Sequence, residues 1–155
     1  VAKSGDIVLS CVFLEDGGGH VPYVVGNTAT PYDLGVVIEI ADELRRYDRI
    51  IGWNSHGFDM RFINDRLRMH GEPLLLHRGS FDLKEWCKRM YPYLDGHQDT
   101  FGQALGIKHQ KTPLDIEHNR KLGRGEGTAE EWQELIHHNI EDVLGLQEIY
   151  RAVMG

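Results

Sequence analysis

The sequence predicts an α/β domain, on three observations. Residues 6–14 and 20–25 read as a β-hairpin around a Gly-rich turn. A helix, a short strand and a second helix then follow one another across residues 30–70. The last part of the chain carries a long apolar pattern at helical spacing. Strands alternating with crossover helices imply a mixed β-sheet flanked by α-helices. At 155 residues the chain is read as one domain, 1–155, large enough for a proper core.

Residues 6–14 (DIVLSCVFL) are rich in β-branched and apolar residues, as a buried strand requires. Glu15 to Gly19 is a turn signal, and residues 20–25 (HVPYVV) are the partner strand, with Pro22 placing it near a sheet edge. Thr30 and Pro31 suit the N-cap and first position of a helix. Leu34, Val37, Ile38, Ala41 and Leu44 then recur on one face. Arg49 to Trp53 is a short strand, and a helix runs from about Phe58 to His70, stopped by Gly71. Ser80-Phe81-Asp82 leads into a helix ending before Pro92, and a short helix spans Thr100 to Leu105. Residues 107–127 hold three Gly and one Pro without a clear period and read as one long irregular segment. Thr128 and Glu131 fit a capping box that opens the final helix.

Composition narrows the function classes. Hydrophobic residues at 41% and charged residues at 26% describe a folded chain. No apolar run is long enough to span a bilayer, so no membrane association is expected. Cys11 and Cys87 show neither a CxxC spacing nor a disulfide framework, which makes the cytoplasm the expected compartment. A net charge of −7 argues against non-specific coating of nucleic acid. It does not exclude a nuclease, whose metal-binding carboxylates are offset by divalent cations. One segment is locally basic (Lys108, His109, Lys111, His118, Arg120, Lys121, Arg124) and reads either as a solvated loop or as a phosphate contact.

Two segments carry candidate chemistry. Asn54-Ser55-His56-Gly57-Phe58-Asp59 follows an apolar strand and enters a helix, putting a carboxylate and an Asn at a strand's exit, where open sheets bind ligands. By itself Asp59 also fits a first-turn carboxylate favoured by the helix dipole. In His137-His138-Asn139-Ile140-Glu141-Asp142-Val143, residues four apart lie about 40° apart around a helix axis, so His138 and Asp142 share a face. That pair is either a solvated polar stripe or part of a metal site.

These segments resemble the second and third motifs of the 3′→5′ exonucleases with a ribonuclease H-like fold, the DEDD superfamily. The likeness is closest to the proofreading domains of family B DNA polymerases and to related predicted exonucleases of microbes and phages. Phe101 to Gly106 also resembles that family's short helix ending in Ala-Leu-Gly, so the resemblance runs through most of the chain in order. It implies that Asp59 and Asp142 are carboxylate metal ligands, and that His138, or its neighbour His137, is the catalytic His. His138 is preferred because Asn139, Asp142 and Val143 follow it as in the tyrosine subgroup. Asn54 and Phe58 are implied substrate contacts, and the complete site is implied to hold two Mg2+ or Mn2+ ions.

The family's first motif, Asp-x-Glu on the first strand, is not found here: Asp6-Ile7-Val8 has the wrong third residue. The expectation is that the first strand and its two carboxylates lie upstream of Val1, and that the chain by itself is inactive or very weak. The expected function is metal-dependent 3′→5′ hydrolysis of single-stranded nucleic acid, DNA favoured over RNA, in a protein fused to or associated with a polymerase or helicase. The rival expectations are a catalytically inactive domain of the same fold that binds nucleic acid or a protein partner, and an unrelated phosphohydrolase acting on a small nucleotide.

Overall fold

A computed structural model describes residues 6–15, 23–26, 33–113 and 115–155. The chain is of the α/β class, with four short strands and six helices among the described residues. Strand β1 (Ser10–Phe13) pairs antiparallel with β2 (Tyr23–Gly26), with Cys11 opposite Val25. This is the expected hairpin, shortened. Its turn and Pro22 lie outside the described residues, as do Thr30 and Pro31. Helix α1 (Leu34–Arg45) begins at Leu34 instead of Pro31. Its apolar face, Val36, Val37, Ile40, Ala41 and Leu44, is buried.

Strand β3 (Ile50–Gly52) feeds helix α2 (Asp59–Met69), and the chain returns as β4 (Ser80–Asp82), parallel to β3 with Ile51 opposite Phe81. Parallel strands need a crossover of this kind. Sequence pattern marked Ser80-Phe81-Asp82 only as a lead into a helix. Three residues carry too little periodicity to signal a strand, and pairing with β3 creates one. Helix α3 (Leu83–Met90) starts directly after it, capped by the Asp82 side chain, which accepts from the Lys84 amide. Helix α4 (Gln98–Leu105) ends at Gly106, whose φ of +65° is the left-handed conformation that glycine adopts without strain.

The expected irregular stretch after Gly106 contains a helix, α5 (Ile116–Gly123). Asp115 caps it, its carboxylate accepting from the His118 amide at 3.1 Å. Only Leu122 is buried on α5, so hydrophobic periodicity has nothing to report. Ion pairs hold the helix in place: Arg120 with Asp6 and Glu117, and Lys121 with Glu131. The basic segment is therefore largely neutralised by internal carboxylates, Arg124 meeting Glu126 in the same way. Helix α6 (Ala129–Met154) opens with the expected capping box, Thr128 and Glu131 each accepting the other's amide.

Two apolar clusters form the interior. One packs α1 on α2 through Val37, Ile40, Leu67 and Leu75. The other joins α3, α4 and α6 through Leu83, Cys87, Phe101 and Ile149. A buried polar knot ties the first together: Asp33, fully buried before α1, accepts from Arg66 at 2.8 and 2.9 Å, from the Val8 amide at 2.9 Å, and contacts His70 at 2.7 Å. Burial pushes the Asp33 carboxyl up. The Arg66, Val8 and His70 hydrogen bonds outweigh it and hold the group below its ordinary value. Among the described residues the strands form two separate two-stranded sheets, not one mixed sheet. No helix is long and apolar enough to cross a membrane.

Candidate metal and nucleic-acid site

The junction after β3 is built by tight backbone geometry. Asn54 adopts a left-handed φ of +58°, which Asn tolerates better than most residues. Its carbonyl accepts from the Phe58 amide at 2.9 Å, closing the turn into α2. A side chain on Gly57 would put its Cβ 2.6 Å from Asn54 Oδ1, and one on Gly52 would meet Ser55 at 2.6 Å, so both positions require glycine.

Asp82 holds this turn from the neighbouring strand. Oδ1 accepts from the Asn54 amide at 2.9 Å, and Oδ2 accepts from the His56 amide at 3.0 Å. With the Lys84 amide, the nearly buried carboxylate serves three backbone donors. Sequence reasoning passed over it because its partners lie 28 and 26 residues away. His56, Asp82 and Glu85 place one potential ligand atom each within 4.8 Å of the others. Asp82's oxygens are already engaged by amides, so that group is first a clamp on the turn.

Asp59 opens α2. It keeps solvent access at the edge of a cleft, yet the surrounding protein walls displace much of the water that would stabilise its charge. This burial raises its carboxyl to about 6; the Asp82 charge pushes the same way, while its own backbone amide and Lys111 oppose. The field of Asp59 also reaches Cys11 on β1, where burial is the main reason that the thiol is pushed up to about 12. Both cysteines are free.

On α6, His138 and Asp142 share a face as the spacing required: His138 Nε2 lies 3.4 Å from Asp142 Oδ2. His138 is buried, and its Nδ1 is paired with the Thr112 hydroxyl. His137 is exposed. The same Asp142 oxygen accepts from Lys111 Nζ at 2.7 Å. Its other oxygen, Oδ1, is buried and has no hydrogen-bond partner. Gln98 Nε2 donates to the Asp142 carbonyl at 2.8 Å, tying α4 to the same turn of α6.

The segment carrying Lys111 and Thr112 is strapped along α6. Glu148 accepts from the amides of Lys108 and His109, at 2.7 and 3.3 Å. His109 Nδ1 pairs with Glu141 at 2.7 Å. Gly145 makes the close approach possible, since a Cβ there would lie 2.5 Å from the His109 carbonyl.

One cavity of about 1090 Å3 collects most of the sequence-predicted residues. Asn54, Phe58, Asp59 and Asp142 all line it. Phe58 is half-exposed and stacks at 5.6 Å on Phe62, so its ring serves both cleft and core. Lys111 and Asp99, which the sequence did not single out, line the same cavity. His138 does not: it stands behind Asp142 and faces an adjoining hollow of about 370 Å3 that Thr112 and His137 also line.

The donor set suits a hard divalent cation. Carboxylate oxygens are its preferred ligands, and the orphaned Asp142 Oδ1 is an acceptor in want of a cation or donor. Asp59 and Asp142 would hold it, and two carboxylates alone would do so weakly. No protein-family model, curated protein or solved structure matches the chain.

Proposed function

We propose that the chain is a ribonuclease H-like 3′→5′ exonuclease domain, hydrolysing phosphodiester bonds of single-stranded nucleic acid, DNA in preference to RNA, with Mg2+ or Mn2+. The observation that carries this reading is the arrival of Asp59 and Asp142, 83 positions apart in sequence, on one cleft, with a buried unpaired oxygen on Asp142. A divalent cation there would supply Lewis-acid charge at the scissile phosphate. The rest falls to the chain. Asn54, fixed by its left-handed backbone and the Asp82 clamp, presents its amide side chain to the strand's end. The exposed face of Phe58 offers a stacking surface for a terminal base. His138 Nε2, beside Asp142, is placed to take a proton from an attacking water once Lys111 and Thr112 move aside. Further carboxylates are needed for a second ion, and the proposal places them on a strand preceding Val1.

A 3′-labelled oligonucleotide incubated with Mn2+ tests the reading. Chain 1–155 is expected to cleave very weakly or not at all. The polypeptide extended upstream is expected to release mononucleotides, and Asp59→Asn or Asp142→Asn in that form to abolish release. Activity that survives both substitutions overturns the proposal.

A second reading, a binding domain without catalysis, has its own support: Lys111 and Thr112 already engage the groups that chemistry would require. Under it, the extended polypeptide binds a fluorescent oligonucleotide but leaves it intact with Mn2+ present.

A further inference from the structure

The 1090 Å3 cavity is longer than the site it contains. From the carboxylates it runs back between the two sheets, walled by residues 7–15 on one side and 49–54 on the other. Those walls are strand edges. Among the described residues β1 hydrogen-bonds only to β2, and β3 only to β4, so each has one edge without a partner, and both edges border the same space. The remaining lining is largely apolar, from Leu44 and Ile63 under one wall to Leu146 and Tyr150 of α6.

This combination selects its occupant. Backbone N–H and C=O groups facing an apolar slot need partners, because leaving them unpaired away from water costs as much as a lost hydrogen bond. Ile50 donates to Gly79, so the alternation along a parallel strand turns the Ile51 amide and carbonyl to the opposite edge, toward the slot. A compact ligand cannot satisfy two facing ladders. An extended polypeptide can, and with apolar side chains on both of its faces it would be the central strand of a sheet.

We infer that the slot between β1 and β3 is the seat of a β-strand from the same polypeptide, N-terminal to Val1, which joins the two sheets into one. Consecutive strands are usually spatial neighbours, and residues 6–9, which lead directly into β1, already form part of the slot wall. A strand turning back before them would pair with the free edge of β1 and meet β3 on its other side. The far end of the slot opens at Asp59 and Asp142, so side chains at that end of the strand enter the site. The inference names the source of the additional carboxylates in the proposed function, but it rests on the strand edges.

Hydrogen exchange tests it independently of cleavage. Chain 1–155 is compared with the polypeptide extended upstream in its own reading frame by about 20 residues, enough for a strand and a short connection. The expected result is slowing on the order of a hundredfold at alternate amides within 7–15 and 49–54, with α6 unchanged. Proline at alternate positions of the extension is expected to remove that protection. The inference is overturned by equal exchange in the two forms, by amides already slow in monomeric 1–155, by protection of 1–155 that rises with its concentration (a second copy in the slot), by protection that survives the prolines, or by a stop codon immediately upstream.

Discussion

Lys111 donates to Asp142 across 2.7 Å, and this one contact fastens the segment after α4 onto the helix that carries the proposed metal ligand. Without a cation, the ammonium partly neutralises a carboxylate whose other oxygen is buried and unpartnered. The contact also sits within the electrostatic reach of Asp59. Lys111 thus occupies the position between the two proposed ligands that a divalent cation would contest.

Replacing Lys111 should therefore help a metal to bind. The pair is partly exposed, and such pairs contribute at most about 1 kcal/mol. Lys111→Met is expected to tighten Mn2+ binding by about two- to fivefold. Calorimetric titration in the absence of nucleic acid measures it. Unchanged or weaker binding would show that Lys111 and the cation do not compete.

His138 and His137 should differ sharply. His138 is buried against Asp142 and Thr112, whereas His137 is exposed. In the extended polypeptide, His138→Gln is expected to lower cleavage by about 10²–10⁴-fold, the range for a general base, and to flatten the pH–rate profile. His137→Gln should change the rate less than threefold, a surface-substitution effect of under about 0.5 kcal/mol. Equal losses in the two variants would remove His138 from its role.

The contrast between these neighbours marks where sequence pattern stops informing. Helical spacing placed His138 beside Asp142 correctly, because both lie on one element and the period of an α-helix is fixed. The Asn54–Asp59 junction and the Thr128–Glu131 cap were legible for the same reason: each is a local arrangement with its own residue signature. Asp82 was not, since its three amide partners become neighbours only when β3 and β4 pair. Nor was the placement of Lys111, which depends on Gly145 letting the segment approach α6. The β4 strand and helix α5 escaped because pairing and ion pairs, not buried periodicity, define them.

Arg66 is expected to be the most sensitive charged position in the core. Its guanidinium makes two hydrogen bonds to Asp33, which is fully buried. Removing it leaves an uncompensated buried carboxylate, a change that costs about 3–5 kcal/mol. Arg66→Ala should lower the urea midpoint accordingly, and Arg66→Lys should recover only part because an ammonium lacks the bidentate fork. The folded-state Asp33 carboxyl is held below its unfolded value, so its contribution is present above that unfolded value and is lost as pH falls through the folded one. Acid unfolding below about pH 4 should therefore lose its Asp33 component in Arg66→Ala. A variant with unchanged stability would show that the knot is dispensable.

Asp59 runs the opposite way. Its folded-state carboxyl is raised from 3.8 to about 6, chiefly by burial within the cleft walls. The folded state therefore holds this proton more tightly than the unfolded chain does. The resulting stabilisation is full below the unfolded value and fades as pH rises through about 6, leaving a charge at neutral pH that the fold alone accommodates poorly. Asp59→Asn removes that charge without changing shape, so it is expected to raise the melting temperature of the metal-free chain at pH 7.5 and to make no difference at pH 4. The same substitution should abolish the stabilisation that Mn2+ gives the unsubstituted chain at pH 7.5, because the cation loses one of its two carboxylates. Protons and cation compete for this group, so Mn2+ binding to the unsubstituted chain should weaken below about pH 6. Melting curves at the two pH values, with and without Mn2+, decide it: a variant that is less stable without metal, or still stabilised by Mn2+ to the same extent, places the cation away from Asp59.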